Sequence, residues 1–290
     1  MITALRRTAL ACALGAAALG AAACSGDGAE APHPARSARP AASPSHPPSY
    51  ASPPTLTPGR AGLTRVFASA ARPQRRTVAL TFDADMTADQ GARAAAGEHF
   101  DNPRLIAALR ALRVPATVFM TGRWAEQYPA QAKDIGGDPL FEVANHSYSH
   151  YAFTPGCYGL PTVPARRMRA DVERAFAAFH EAGVRHVVPY FRFPGGCYDR
   201  AALRALAPTR VTAVQWDVVS GDAFATDPGP VERQVLAGVR PGSVVVLHCT
   251  RSAAPTTERV VRAVVPALRA KGYRFVRVSE LLGADREARS

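Results

Sequence analysis

Between residues 77 and 278 the hydrophobic pattern switches repeatedly between two periods. Short, nearly continuous apolar runs recur: TVALTF (77–82), ATVFM (116–120), FEVAN (141–145), VVPYF (187–191), VTAVQW (211–216), SVVVLH (243–248) and YRFVRV (273–278). Runs of this length, rich in β-branched and aromatic residues, predict strands buried on both faces. Longer amphipathic stretches lie between them: PRLIAALRALR (103–113), opened by a proline, a shorter one at 124–134, VPARRMRADVERAFAAFHEAG (163–183), closed by a glycine, and segments at 199–206, 229–238 and 255–270. Their spacing and end residues predict helices. Strand–helix alternation of this kind predicts an α/β fold with a parallel sheet, open or closed into a barrel. In such sheets chemistry collects at the carboxyl ends of the strands.

The chain ahead of residue 77 has another character. MITALRRTALACALGAAALGAAAC opens with Arg6 and Arg7, continues with a short apolar run and ends on small residues. That pattern predicts an export signal over 1–23 rather than a spanning helix. AAAC also fits a lipoprotein signal with Cys24 as the lipidated residue, so lipid anchoring and free secretion both stand. Residues 24–71 are dominated by Pro, Ala, Ser and Arg. With so few large apolar side chains they cannot offset chain entropy, which predicts a disordered tether. The folded domain is then expected over 72–290, long enough for one sizeable core.

Charge and cysteines narrow the picture. The net charge is +12; Arg6 and Arg7 carry two of these charges, and seven arginines against Asp27 and Glu30 over 24–77 carry five more. The remaining +5 gives no reason to expect nucleic acid, and attraction to anionic wall polymers or lipid is the better expectation. Of the five cysteines, Cys157, Cys197 and Cys249 fall in the expected domain. In an oxidising compartment three cysteines predict one disulfide, and Cys157 with Cys197 is the pair expected to brace the site.

The polar residues worth singling out all follow strands. LTFDADMT (80–87) places Asp83 and Asp85 at the end of the first run. NHSYSH places His146 and His150 four apart, a spacing that on a helical turn aims both imidazoles at one divalent ion. Two histidines with one carboxylate make a facial site that leaves positions open for water and substrate. Arg192, in YFRFPGG, lies among apolar residues and needs a carboxylate partner; Asp217 and Asp222 are the candidates. His248 ends a fully apolar strand beside these groups, which favours a general acid over a core histidine. Cys249 points to the opposite face by strand alternation.

The ordered set TFDAD, HSYSH, RFPGG, WDVVSGD and VVLH resembles the motifs of the polysaccharide deacetylase family, the NodB-homology carbohydrate esterases, over residues 77–283. The resemblance implies a distorted (β/α) barrel with its site at the carboxyl ends of parallel strands. It also implies removal of acetyl groups from chitin-like, peptidoglycan or xylan polymers with zinc or a similar divalent ion such as cobalt. Asp83 would be the catalytic base, His146 and His150 the metal histidines and Arg192 the residue positioning the base. Asp222 would hold that arginine, His248 would be the acid, and the Gly195 N–H, beside Pro194, would help hold the oxyanion. The family's second adjacent aspartate is here Ala84, so either Asp85 reaches the metal from one residue later, or histidines and water hold it, or Asp83 becomes the ligand. The family's tryptophan after the fourth-motif aspartate is here Ala223. The resulting expectation is an exported, metal-dependent deacetylase, N-acetyl foremost, monomeric, meeting membrane only through a lipid anchor. Its rivals are an O-acetyl xylan esterase and a deacetylase-like protein that binds glycan without hydrolysing it.

Overall fold

A computed structural model describes residues 52–289 other than 60, 72 and 74. The expected export segment, Cys24 and the tether up to residue 51 lie outside the described residues. Among the described residues nine strands form one sheet: β1 (Val66–Phe67), β2 (Thr77–Ala84), β3 (Ala116–Met120), β4 (Phe141–Asn145), β5 (Val187–Phe191), β6 (Thr212–Val214), β7 (Val218–Val219), β8 (Ser243–His248) and β9 (Arg274–Phe275). The order is β1-β6-β5-β4-β3-β2-β8-β7, with β9 beside β2, and every pairing is parallel. One run of chain, 212–219, supplies strands near both ends of this order, so the sheet curls round as the distorted barrel the sequence implies. The Asp217 amide donates to the Val244 carbonyl at 3.2 Å at the crossing.

Side-chain alternation along β2 separates two cores. Val78, Leu80, Phe82 and Ala84 pack with Leu105 and Leu109 of helix Pro103–Ala111 and with Val261 and Val265 of helix Thr257–Ala270. Ala79 packs with Phe119, Ala144, Tyr190, Val214 and Val244 in the barrel interior. Thr81 and Asp83 share the parity of Ala79, so Asp83 faces inward at the carboxyl end of the central strand. That placement fixes the position of the site.

Most expected helices are present, at Pro103–Ala111, Met168–Glu181, Arg200–Leu206, Pro228–Gly238 and Thr257–Ala270. The stretch expected as one helix at 124–134 is two, Gly122–Gln127 and Pro129–Gly137. Pro129 starts the second, since it lacks the amide that continuation needs. The strand expected at 273–278 shrinks to Arg274–Phe275, and Val278 opens the helix Val278–Glu287. There the Glu280 carboxylate accepts from the Arg277 amide at 2.9 Å and caps the helix.

The disordered tether expected over 24–71 needs correction at its far end. Residues from Pro54 onward lie on the domain. The Leu56 amide donates to Thr212 Oγ1 at 2.8 Å, and Tyr190 Oη donates to the Pro54 carbonyl at 2.8 Å. Phe67 is buried, and β1 pairs with β6 through Val66–Ala213 and Phe67–Val214. A composition averaged over 24–71 hides Phe67, which is buried, and Leu56 and Val66, which are partly buried; together they offset the local ordering cost. No helix among the described residues is long and apolar enough to cross a membrane.

Candidate active site

Each polar group of the site is delivered by a strand end. Asp83 ends β2 next to His248 of β8, in direct register, and the Cys249 amide donates to the Asp83 carbonyl at 2.7 Å. His146 follows β4 and Arg192 follows β5, with the Arg192 amide on the Asn145 carbonyl at 2.9 Å. Adjacent strands thus bring together residues far apart in the chain.

Arg192 is fully buried. Its Nη1 donates to Asp83 Oδ1 at 2.7 Å and its Nε to the Val214 carbonyl at 3.3 Å. The guanidinium lies 3.9 Å from the centre of the Phe119 ring and 5.3 Å from that of Trp216. Burial pulls its pKa down, and the adjacent Asp83 carboxylate opposes that. Breaking such a pair by removing one partner strands a buried charge. Among the described residues the one carboxylate paired with Arg192 is Asp83, which corrects the expectation that Asp222 holds it.

Asp222 instead holds His248. Its Oδ1 accepts from His248 Nδ1 at 2.8 Å and from Ser220 Oγ at 2.8 Å; its Oδ2 accepts from the His248 amide at 2.8 Å and Thr257 Oγ1 at 2.7 Å. The reason is distance along the sheet: Asp222 follows β7, which pairs with β8, whereas Arg192 lies on the far side of β4 and β3. Burial would lower the His248 pKa, but the Asp222 hydrogen bond and charge win and raise it to about 9. Burial likewise raises the Asp222 carboxyl, and His248 more than reverses this, holding it below its ordinary value. Asp217, the other candidate, binds the start of β8 through the Val244 amide at 2.7 Å and Ser243 Oγ at 2.8 Å.

NHSYSH forms a loop, not the helical turn expected, because Ser147 and His150 take positive φ values of 69° and 55°. The imidazoles still converge, their ring centres 5.0 Å apart. The Asn145 side chain accepts from the Ser147 amide at 2.8 Å and fixes the loop. His146 Nδ1 lies 2.9 Å from the Arg192 carbonyl, which favours the tautomer with a bare Nε2. That Nε2 is 3.6 Å from Asp83 Oδ2. Burial lowers the His146 pKa to about 4, so the ring is neutral near pH 7.

Ala84 faces the helix layer, fully buried. Asp85, one residue on, turns back and sets Oδ2 3.4 Å from His150 Nε2. Thr250, which the sequence did not single out, hydrogen-bonds the other Asp85 oxygen. Burial would raise the Asp85 carboxyl, but His150, His248 and Thr250 together hold it below its ordinary value. The four groups form two facing pairs, Asp83 with His146 and Asp85 with His150. No closed set of three ligands forms among the described residues. The donor chemistry nevertheless fits a divalent cation: a neutral imidazole with a bare, oriented nitrogen, a second imidazole, and a carboxylate held below its ordinary pKa.

Gly195 follows β5 with φ +66°, a value that favours glycine. A Cβ there would come within 2.5 Å of Cys157 Sγ. Pro194 is buried at the start of the same turn. Cys157 and Cys197 are disulfide-bonded, 40 residues apart, and pin the loop after β4 to the loop after β5. Replacing both cysteines by serine is expected to lower stability by about 4 kcal/mol on loop-closure entropy. A denaturant midpoint unchanged from wild type would overturn that. Cys249 is a buried free thiol whose pKa burial pushes up to about 12.

Comparison with known proteins agrees with this architecture. Residues 70–214, half of the chain, match the family model described as polysaccharide deacetylase. The uncharacterized protein YlxY of Bacillus subtilis is 26% identical over 183 residues, which cover 63% of this chain and 53% of that one. The chain thus spans about half the length of that relative. A chitooligosaccharide deacetylase of Sinorhizobium fredii is 30% identical over 182 residues, covering 59% of this chain and 80% of the relative. Among solved structures, a CE4 family pseudoenzyme from Bacillus anthracis superposes with a TM-score of 0.61 at 22% identity, covering 78% of this chain and 70% of that one.

Proposed function

This chain belongs to the polysaccharide deacetylase family of hydrolases, and from that premise we propose that it removes acetyl groups, N-acetyl foremost, from a cell-wall or chitin-like polymer of N-acetylglucosamine, with a bound divalent ion. The observation that carries the reading is the pairing of roles across β2 and β8. A carboxylate fixed by a buried arginine stands in register with a histidine that its own aspartate keeps protonated.

Asp83 is the base, oriented by Arg192 to accept the proton of the attacking water. His248, protonated through Asp222, donates to the leaving amine. The Gly195 amide lines the space for the developing oxyanion. His146, His150 and Asp85 would hold the ion, which when bound polarises the acetyl carbonyl and acidifies water. Asp85 takes this part because Ala84 faces the helices. Zinc is the ion we propose, with cobalt as a substitute.

The test is acetate release from N-acetylated chitooligosaccharides and from peptidoglycan, on protein stripped of metal and then given zinc or cobalt. Release that returns with metal is the expected result. No release on any acetylated polymer, with metal confirmed bound, favours the second reading, a glycan-binding protein without turnover. Ala84 and the pseudoenzyme neighbour make that reading worth keeping. Activity of the wild type should also fall as pH rises through about 9, because His248 must be protonated to act as acid. A kcat/KM profile still flat from pH 7 to pH 10 would remove His248 from that role. The N-terminal pattern supports placing the protein outside the cytoplasm, secreted or anchored through Cys24.

A further inference from the structure

Two large aromatic side chains stand almost wholly in solvent, Tyr158 at 86% exposure and Phe224 at 84%. Both occupy backbone positions that aromatic residues rarely take, with φ of +47° and +63°. Each sits inside a hydrogen-bonded four-residue turn. The Leu160 amide donates to the Cys157 carbonyl at 2.9 Å around Tyr158, and the Ala225 amide to the Asp222 carbonyl at 3.1 Å around Phe224. Glycine or asparagine suits such left-handed turn positions, and a ring costs backbone strain there. Burial would ordinarily offset that strain, but neither ring is buried.

Their placement accounts for them. The Tyr158 ring edge would lie 3.3 Å from a Cβ at Gly195, so it rests on bare backbone at the oxyanion side of the site. Its turn is held by the Cys157–Cys197 disulfide. Phe224 lies two residues beyond Asp222, and its amide donates to the Ala253 carbonyl at 2.6 Å in the loop after β8. Tyr158 lies in the loop after β4, pinned by the disulfide to the loop after β5, and Phe224 in the loop after β7; in the sheet order β3, β2 and β8, which carry Asp83 and His248, lie between β4 and β7.

We propose that Tyr158 and Phe224 are stacking platforms for sugar rings of a polymeric substrate, one on each side of the residue being deacetylated. A pyranose ring presents an apolar C–H face and a polar rim, which suits an exposed aromatic face anchored at its edge. The protein then selects oligomers long enough to reach both platforms and gains little on a short one. The choice of an N-acetylglucosamine polymer rests on the deacetylase reading and is part of the proposal.

The experiment measures binding directly, by calorimetry with N-acetylglucosamine hexamer and dimer, on wild type, Tyr158→Asn and Phe224→Gly. Both substitutions suit the left-handed turns, so thermal stability should hold or rise. Hexamer Kd should weaken about tenfold in each variant, the scale of one aromatic anchor, with dimer Kd unchanged. Unchanged hexamer binding in both variants, equal losses for dimer and hexamer, or no hexamer binding by wild type would overturn the proposal. Acetate release is read separately: hexamer binding with these losses but no release would sustain the platforms and overturn the hydrolase reading.

Discussion

Asp83→Asn is expected to lower turnover of N-acetylated chitooligosaccharide by about 10³-fold, within the range a positioned general base contributes. The amide keeps the size of the carboxylate and can still accept from Arg192 Nη1, so the barrel should fold. It cannot take a proton from water. It also leaves the Arg192 charge, fully buried, without its compensating partner, so a loss of stability should accompany the loss of rate. Because His146 loses only a neighbour 3.6 Å away, zinc content should stay close to wild type. Measuring kcat, bound zinc and the melting temperature on one preparation separates these effects. Turnover within threefold of wild type would move the base to another residue.

Asp222→Asn should be the second-largest loss, about 10²-fold in kcat at pH 7. Asp222 gathers four donors on two oxygens. Its amide would turn an NH₂ toward at least one of them. More important, His248 would lose the partner that raises its pKa to about 9, and would fall toward or below the ordinary value near 6.5. The basic limb of the rate profile should therefore move to lower pH, which a merely structural role would not produce. The sign for stability follows from the same shift. His248 has a folded pKa above its unfolded value, so its contribution is fully present below about pH 6.5 and is lost as pH rises through about 9. For metal-free protein the stability gap between wild type and Asp222→Asn should be on the order of 3 kcal/mol at pH 6 and narrow by pH 10. A gap that stays constant across that range would show that Asp222 acts through packing alone.

The strand–helix alternation and the clustering of polar residues at strand ends were legible because burial on both faces leaves an unmistakable apolar pattern. The Cys157–Cys197 pairing was legible too; what failed were the Arg192–Asp222 pairing and the helical turn expected at NHSYSH. Arg192 and Asp222 are both strand-end residues, but only the strand order decides their partners, and order is not written in the local pattern. His146 and His150 converge through left-handed backbone at Ser147 and His150, not through helical periodicity. Alternation along β2 explains how Asp85 stands beside His150: with Asp83 inward, Ala84 faces the helices. Thr250 escaped notice because a lone threonine after a strand carries no pattern, although the carboxylate it meets lies 165 positions away. Tyr158 and Phe224 were hidden for a related reason, since sequence reports that a residue is aromatic and not that it stands in solvent.

The short strand β1 bears on how this protein should be handled and on how it would fail. Beginning a chain at residue 72, where composition marks the end of the linker, would strip Val66–Phe67 from the rim and uncover the main-chain donors and acceptors of β6. The Phe67 carbonyl that now accepts from the Gln215 amide at 2.8 Å would go with it. An uncovered strand edge invites a neighbouring molecule to dock in the vacancy, by domain exchange or by sheet-to-sheet growth. A protein shortened there should gather into higher-mass species on a sizing column, whereas one beginning at residue 52 should elute as a single small particle. The stretch that resembles a dispensable leash therefore works at its far end as a selvage, the finished border that keeps a woven sheet from joining the next.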